Sequence, residues 1–239
     1  APLAFILCSV AWLRGDPEPP RSPLAPGEGL EAWKARRSAL LERWRQALGE
    51  PGPELVAAEP PEALEAFATP EFKATLYRQR TGPRTWQRVL LMEPVGVVGK
   101  VAGVVVPFYD PDRMCGYDLR TKQRLGTERS SAMFGLHLVG QGYVVAAVEA
   151  YPFNLGKLTH DTRLAADLLA ASAHVDPRRL AVMGHSLGGK MAFYAGCLDP
   201  RFTAIVASDF GIGWDSTNWG DAWYFGSRLK AMRAEGLSH

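Results

Sequence analysis

The sequence lacks a dominant charge, since 27 basic and 25 acidic side chains leave a net charge of +2 over 239 residues. That balance excludes the blanket attraction to nucleic acid or anionic membranes that a one-sided chain would have. It lacks long hydrophobic runs: none reaches the roughly 18 apolar residues of a membrane-crossing helix, so no membrane span is expected. Cysteine is scarce. Cys8, Cys115 and Cys197 have neither a metal-ligand spacing nor the density of a disulfide framework, so no metal centre is expected. There is also no internal repeat, and no G-x-G-x-x-G follows a strand-like run, which removes the dinucleotide-binding signature.

What remains is ordinary globular composition, 47% hydrophobic and 22% charged, enough for one good core. Residues 1–14 are the first distinct segment. Leu3 to Leu13 is almost wholly apolar, and Ser9-Val10-Ala11 has the small residues of a signal-peptide cleavage site, although the basic region that should precede it is absent. Two readings stand: a signal-peptide remnant, which makes the protein secreted or periplasmic, or a plain terminus of a cytoplasmic one. Residues 15–83 read as a linker and a helical N-terminal arm. Gly15 to Gly29 holds five prolines and three glycines, a linker composition. Leu30, Trp33, Arg37, Leu40, Leu41, Trp44 and Leu48 recur at three- and four-residue spacing, predicting an amphipathic helix. After a second proline-rich stretch, Glu50 to Pro61, a short helical piece is expected at Glu62 to Phe67.

The core is expected over residues 84–239. Thr85–Glu93, Val101–Pro107, Tyr143–Val148, Leu180–Met183 and Thr203–Ala207 read as strands, several of them continuous valine-rich runs that suit a sheet covered on both faces. Between them, Ser130–Gly140, Lys157–His174 and Leu187–Leu198 read as helices. Strands alternating with helices predict an α/β fold, a mostly parallel sheet with flanking helices.

The most informative stretch is Leu180-Ala181-Val182-Met183-Gly184-His185-Ser186-Leu187-Gly188-Gly189. It reads strand, G-x-S-x-G, helix. A serine on so sharp a turn needs neighbours without side chains, and the turn lifts its hydroxyl clear of the sheet. The following helix aims its first amides at the site, so the N–H of Leu187 can stabilise a developing oxyanion. The plain alternative is a serine in a tight βα turn.

From these residues the chain resembles the α/β-hydrolase superfamily over about Arg84 to the end, and most closely its acetyl-xylan-esterase and dienelactone-hydrolase relatives. The resemblance implies a serine carboxylic-ester hydrolase acting on small acyl or acetyl esters, sugar esters included, without metal or organic cofactor. Ser186 matches the nucleophile, and the Tyr109 amide would be the second oxyanion donor. In those relatives that loop reads His-Gly-x, whereas here it is Pro107-Phe108-Tyr109. A prolyl-oligopeptidase-like serine peptidase shares the fold and elbow. An inactive α/β-hydrolase-like binding domain or fragment is the reading from another class.

Serine chemistry also needs a base and a carboxylate that orients it. The family order is serine, acid, histidine, yet His239 is the only histidine in the 53 residues after Ser186. Three readings compete. In the favoured one, the chain is truncated and two C-terminal strands with the acid and histidine are missing. In the second, Asp209, just after the last strand, is the acid; in the third, His239 completes the triad. His137, His160 and His174 fall on predicted helices, and His185 is expected to pack beneath the turn. Trp214, Trp219 and Trp223 crowd a short polar stretch, where they either stack on a sugar or anchor a loop. Glu149 and Tyr151-Pro152-Phe153 follow a strand end where α/β ligands sit. Asp110, Asp112 and Asp118 are read as turn residues rather than a cation site.

Overall fold

The computed structural model describes residues 27–49, 59–126, 132–150 and 154–237. The apolar segment 1–14, most of both proline-rich stretches, Tyr151-Pro152-Phe153 and His239 lie outside the described residues.

Among the described residues, seven strands form one sheet in the order β1-β2-β3-β5-β4-β6-β7. They are β1 (Glu62–Ala68), β2 (Phe72–Gly82), β3 (Thr85–Pro94), β4 (Val101–Phe108), β5 (Val144–Glu149), β6 (Val175–His185) and β7 (Phe202–Ser208). β4 pairs in parallel with β5 and β6, and β6 with β7. β1, β2 and β3 are joined antiparallel, and β3 meets β5 antiparallel. The helices are α1 (Leu30–Leu48), α2 (Pro111–Cys115), α3 (Phe134–Gly140), α4 (Leu155–Ala171), α5 (Leu187–Leu198) and α6 (Arg228–Ala234). None is long and apolar enough to cross a membrane.

Side-chain alternation splits the core into two layers. Leu90, Met92, Val104 and Val106 face one side with Met114 and Leu136 of α2 and α3. Val89, Leu91, Val105 and Val182 face the other, against Ala165 and Leu169 of α4 and Ala192 of α5. The valine-rich runs are strands for this reason: both their faces are covered. A third cluster, rich in aromatic rings, joins α5 to α1 and to the segment after β7.

Several elements differ from expectation, among them strand β2, which falls where the helical arm was expected. Glu62 to Phe67, predicted helical, is strand β1, and the sheet begins with it rather than near Arg84. Its residues are good helix formers, but pairing with β2 decides the matter: Ala66 lies opposite Thr75 and Phe67 opposite Ala74, and the Phe67 ring packs edge-on against Phe72 at 6.0 Å. Local propensity yields here to tertiary context. The helix expected at Lys157 to His174 runs from Leu155 to Ala171; its C-cap Ser172 donates to Glu93 of β3 at 2.8 Å, with His174 beside it at 3.2 Å.

Candidate active site

The turn from β6 into α5 is built around one strained residue. Ser186 has φ 53° and ψ −112°, in a region that residues with side chains rarely occupy. Its N–H donates to the carbonyl of Ser208 at the end of β7 (2.9 Å), and its carbonyl accepts from Lys190, closing the first turn of α5. The two glycines of G-x-S-x-G are explained by distance. A methyl on Gly184 would lie 2.0 Å from the Gly188 oxygen, and one on Gly188 would lie 2.0 Å from the Pro107 oxygen. The second approach presses the end of β4, and so the Pro107–Tyr109 loop, against the start of the helix.

The Leu187 side chain is buried, while its amide is among the helix-initial N–H groups that have no acceptor within the helix. Tyr109 immediately follows β4 and is 45% exposed, its ring edge-on to Phe108 at 4.8 Å. Asp209 immediately follows β7 with φ 49°. It is exposed, and its carboxylate accepts no hydrogen bond among the described residues. Ser186, Leu187, Tyr109 and Asp209 thus gather at the carboxyl ends of three neighbouring strands, where ligands of α/β sheets sit.

No described histidine is bonded to Ser186. His185 turns to Ser208 Oγ (Nδ1 at 3.3 Å) and to the Phe134 ring, beside the turn rather than over the serine. His160 pairs with Asp161 at 2.9 Å and His174 with Glu93 at 3.2 Å, and His137 is exposed on α3. Glu149 at the end of β5 is occupied by Arg88, whose N–H and Nε donate at 2.6 and 2.7 Å. Asp110, Asp112 and Asp118 accept from backbone amides of Arg113, Leu119 and Thr121, which makes them the cap and turn residues expected.

The tryptophans separate. Trp214 and Trp219 are buried and so are not open to a ligand here. Trp219 stacks on Phe225 at 5.4 Å and donates its indole N–H to the Gly211 carbonyl at 2.8 Å. These two anchor the loop, and Trp223 alone of the three is open, at 42% exposure.

Sequence reasoning missed Lys190, four residues beyond Ser186 on α5. It is 2% exposed, and its ammonium lies 4.8 Å from the Trp219 ring centre and 4.7 Å from that of Tyr224. No carboxylate or carbonyl accepts from it among the described residues. Burial pushes its pKa below the usual lysine range, while nearby Asp209 and Asp221 pull the other way; the aromatic faces also favour the charged form. A helical side chain leans towards its own N-terminus, here towards Ser186. The signal was legible: Lys190 is the single charge in the otherwise apolar and small-residue helix Leu187–Leu198. Tyr224 also belongs to this neighbourhood. Its hydroxyl is pushed up to about 12 by burial, then by Tyr109 and Asp221.

Comparison with known proteins bears on the fold. The model of the prolyl oligopeptidase family matches residues 153–235, the stretch that holds the elbow. By structure, the chain resembles an assigned acetyl xylan esterase of Bacteroides fragilis (TM-score 0.62, 13% identity, covering 75% of this chain and 54% of that one). It also resembles a glucuronoyl esterase of Solibacter usitatus (TM-score 0.59, 16% identity, 86% and 65% covered). The chain has the α/β-hydrolase fold. Within that superfamily, 4-O-methyl-glucuronoyl methylesterase 1 of Sodiomyces alcalophilus is 30% identical over 101 residues, 41% of this chain and 19% of that protein. The chain thus spans about a fifth of the length of the curated relatives it matches.

Proposed function

We propose that this α/β-hydrolase carries the nucleophile of a serine carboxylic-ester hydrolase acting on small acyl or sugar-derived esters. The observation that carries the reading is Ser186, held at φ 53° between two glycines that no side chain can replace. Its Oγ attacks the ester carbonyl as a base removes the hydroxyl proton. The amides of Leu187 and Tyr109 hold the oxyanion, the alcohol departs with a proton, and water releases the acid by the same steps. Asp209 is the orienting acid in this reading, supported by its place at the end of β7 and its uncommitted carboxylate.

The base lies outside the described residues, on chain that would pair along the outer edge of β7. That edge has no partner among the described residues, and the strand is exposed on most of its length. A sugar ester as substrate is supported by the names of the curated relatives and by Lys190, one helical turn beyond Ser186 on α5, whose ammonium has donors for hydroxyl or ring oxygens once a ligand reaches it. Trp223 is the open aromatic face available for stacking.

A fluorophosphonate probe tests the reading. It is expected to label the purified chain at Ser186, with no labelling of Ser186→Ala. A folded wild-type protein that stays unlabelled refutes an activated serine in this chain and favours the binding-domain reading. The family match over 153–235 supports a second reading, a peptidase. Cleavage of prolyl amides faster than methyl or acetyl esters would establish that one instead.

A further inference from the structure

A lysine has four rotatable methylenes, so an ammonium stays in one place only if its walls do. The walls around Lys190 are Trp219 and Tyr224, both on the segment after β7. Trp219 is backed by Phe225 on one side and by the edge of Tyr194 at 6.2 Å on another. Tyr194 belongs to α5, one helical turn beyond Lys190, and is itself backed by Trp44 of α1 at 5.5 Å. Trp214 closes the group, its ring edge-on to Trp44 at 6.1 Å and its side chain hydrogen-bonded to the Tyr194 hydroxyl. Trp44 is the one ring of this set that belongs to neither α5 nor the segment after β7.

Helix α1 is fastened at that end. Arg228 donates to the carbonyl of Leu48 at 2.9 Å, Arg43 donates to that of Glu235, and Arg45 reaches Leu198 on α5. The helix ends at Gly49 in the left-handed region (φ 68°), where a side chain would lie 2.9 Å from the Arg228 guanidinium. By contrast, the half of α1 before Leu41 is exposed apart from Trp33.

We propose that α1 is a strap across the back of the elbow helix, and that Trp44 is a positioning residue that seats the Lys190 ammonium through Tyr194 and Trp219. Removing the Trp44 ring opens a void behind Tyr194, Trp219 gains room to tilt, and Lys190 loses a fixed wall. The site would then keep its nucleophile and lose its aligned cation. The consequence for ligands rests on the ester-hydrolase reading above; the seating of Lys190 does not.

The decisive experiment measures acylation of each lysine by an amine-reactive acetyl ester, quantified by peptide mapping on the full chain. Lys190 is expected to react slowest. In Trp44→Ala its rate should rise at least about tenfold, the signature of a local opening, while other lysines change by less than about twofold. Trp44→Phe should restore protection, and Leu40→Ala on the exposed half of α1 should leave it untouched. An unchanged Lys190 rate in Trp44→Ala would overturn the strap. So would a rise shared by all lysines, since Trp44 would then merely support the fold. A second measurement tests the ligand consequence, using methyl glucuronate binding followed by saturation-transfer NMR. Lys190→Met and Trp44→Ala should each weaken binding, and Trp44→Ala should cost nothing further in the Lys190→Met background, because coupled residues are non-additive. Additive losses would overturn the route through Lys190. A wild-type chain that does not bind the ester refutes the sugar-ester reading and leaves the acylation result to decide the strap.

Discussion

The two outer strands of the sheet are finished in opposite ways. β1 carries Glu62 and Glu65, which reach Arg78 on β2 and Lys122 at 2.6 and 2.7 Å, and its register slips between Ala63 and Glu65. Charges and a slip of this kind discourage a further strand from adding to an edge. β7 reads Phe-Thr-Ala-Ile-Val-Ala-Ser without a charge or a proline, and Val206 is 49% exposed; its register slips too, at Thr203, so it is charge that separates the two edges. Its residues are those of an interior strand. The lesson is that one edge of this sheet carries charge and the other does not. Ser186 lies at the second side, its N–H bonded to β7.

The contrast can be pressed experimentally, beginning where the effect is largest. Gly188→Ala puts a methyl 2.0 Å from the Pro107 carbonyl at the end of β4. Urea titration should show a loss of about 3 kcal/mol or more, with fluorophosphonate labelling abolished. Leu64→Ala on β1, half exposed, should cost less than about 0.5 kcal/mol by the same titration.

The turn into β7 comes next. Burial pushes the Asp199 carboxyl up, but hydrogen bonds from Arg201 and the charges of Arg201 and Arg163 together outweigh it and hold the group below the usual carboxylate range. A carboxylate with a depressed folded pKa contributes stability above its unfolded value, near about 3.9 for aspartate, and that contribution fades as pH falls through the folded value. Asp199→Asn should therefore destabilise the protein at neutral pH and flatten the acid limb of a stability–pH curve. A mutant curve parallel to wild type between pH 5 and 2, roughly the window of such a group, would remove Asp199 from the account.

The smallest effect tests the edges themselves. Val206→Lys on β7 should change stability by no more than about 0.5 kcal/mol, yet lower light scattering at high concentration by putting a charge on the bare strand. Leu64→Lys on β1 should leave scattering unchanged. Equal behaviour of the two variants would erase the distinction between the edges.

Legibility followed burial. The strands clearest in the sequence were those whose valine runs are covered on both faces, β4 and β5 above all. β7 was read from its β-branched residues although it is mostly exposed, and the elbow was legible because its chemistry is local. β1 was missed because Glu62–Ala68 has the residues of a helix and only its partner makes it a strand; β2 was missed although Phe72–Gly82 alternates as a strand does. The loop after β7 was half legible: the aromatic crowd was evident, but whether a ring faces solvent or core is a property of packing. The same holds for Lys190, whose isolation among apolar residues was visible while its aromatic walls, some thirty positions on, were not. Asp209 and Tyr109 were found where the motif placed them, at strand ends.

The fastening of α1 has a consequence in time as well as in space. The bonds from Arg228 to Leu48 and from Arg43 to Glu235 join residues 180 and 192 positions apart. Contacts so distant along the chain form late, because the loop between them must first be ordered. A ribosome that has released α1 must therefore synthesise the entire sheet before that helix meets its seat. During that interval Leu41, Trp44 and Leu48 have no apolar partner, so the helix that closes the structure is also the segment most exposed to chaperones and proteases while it waits.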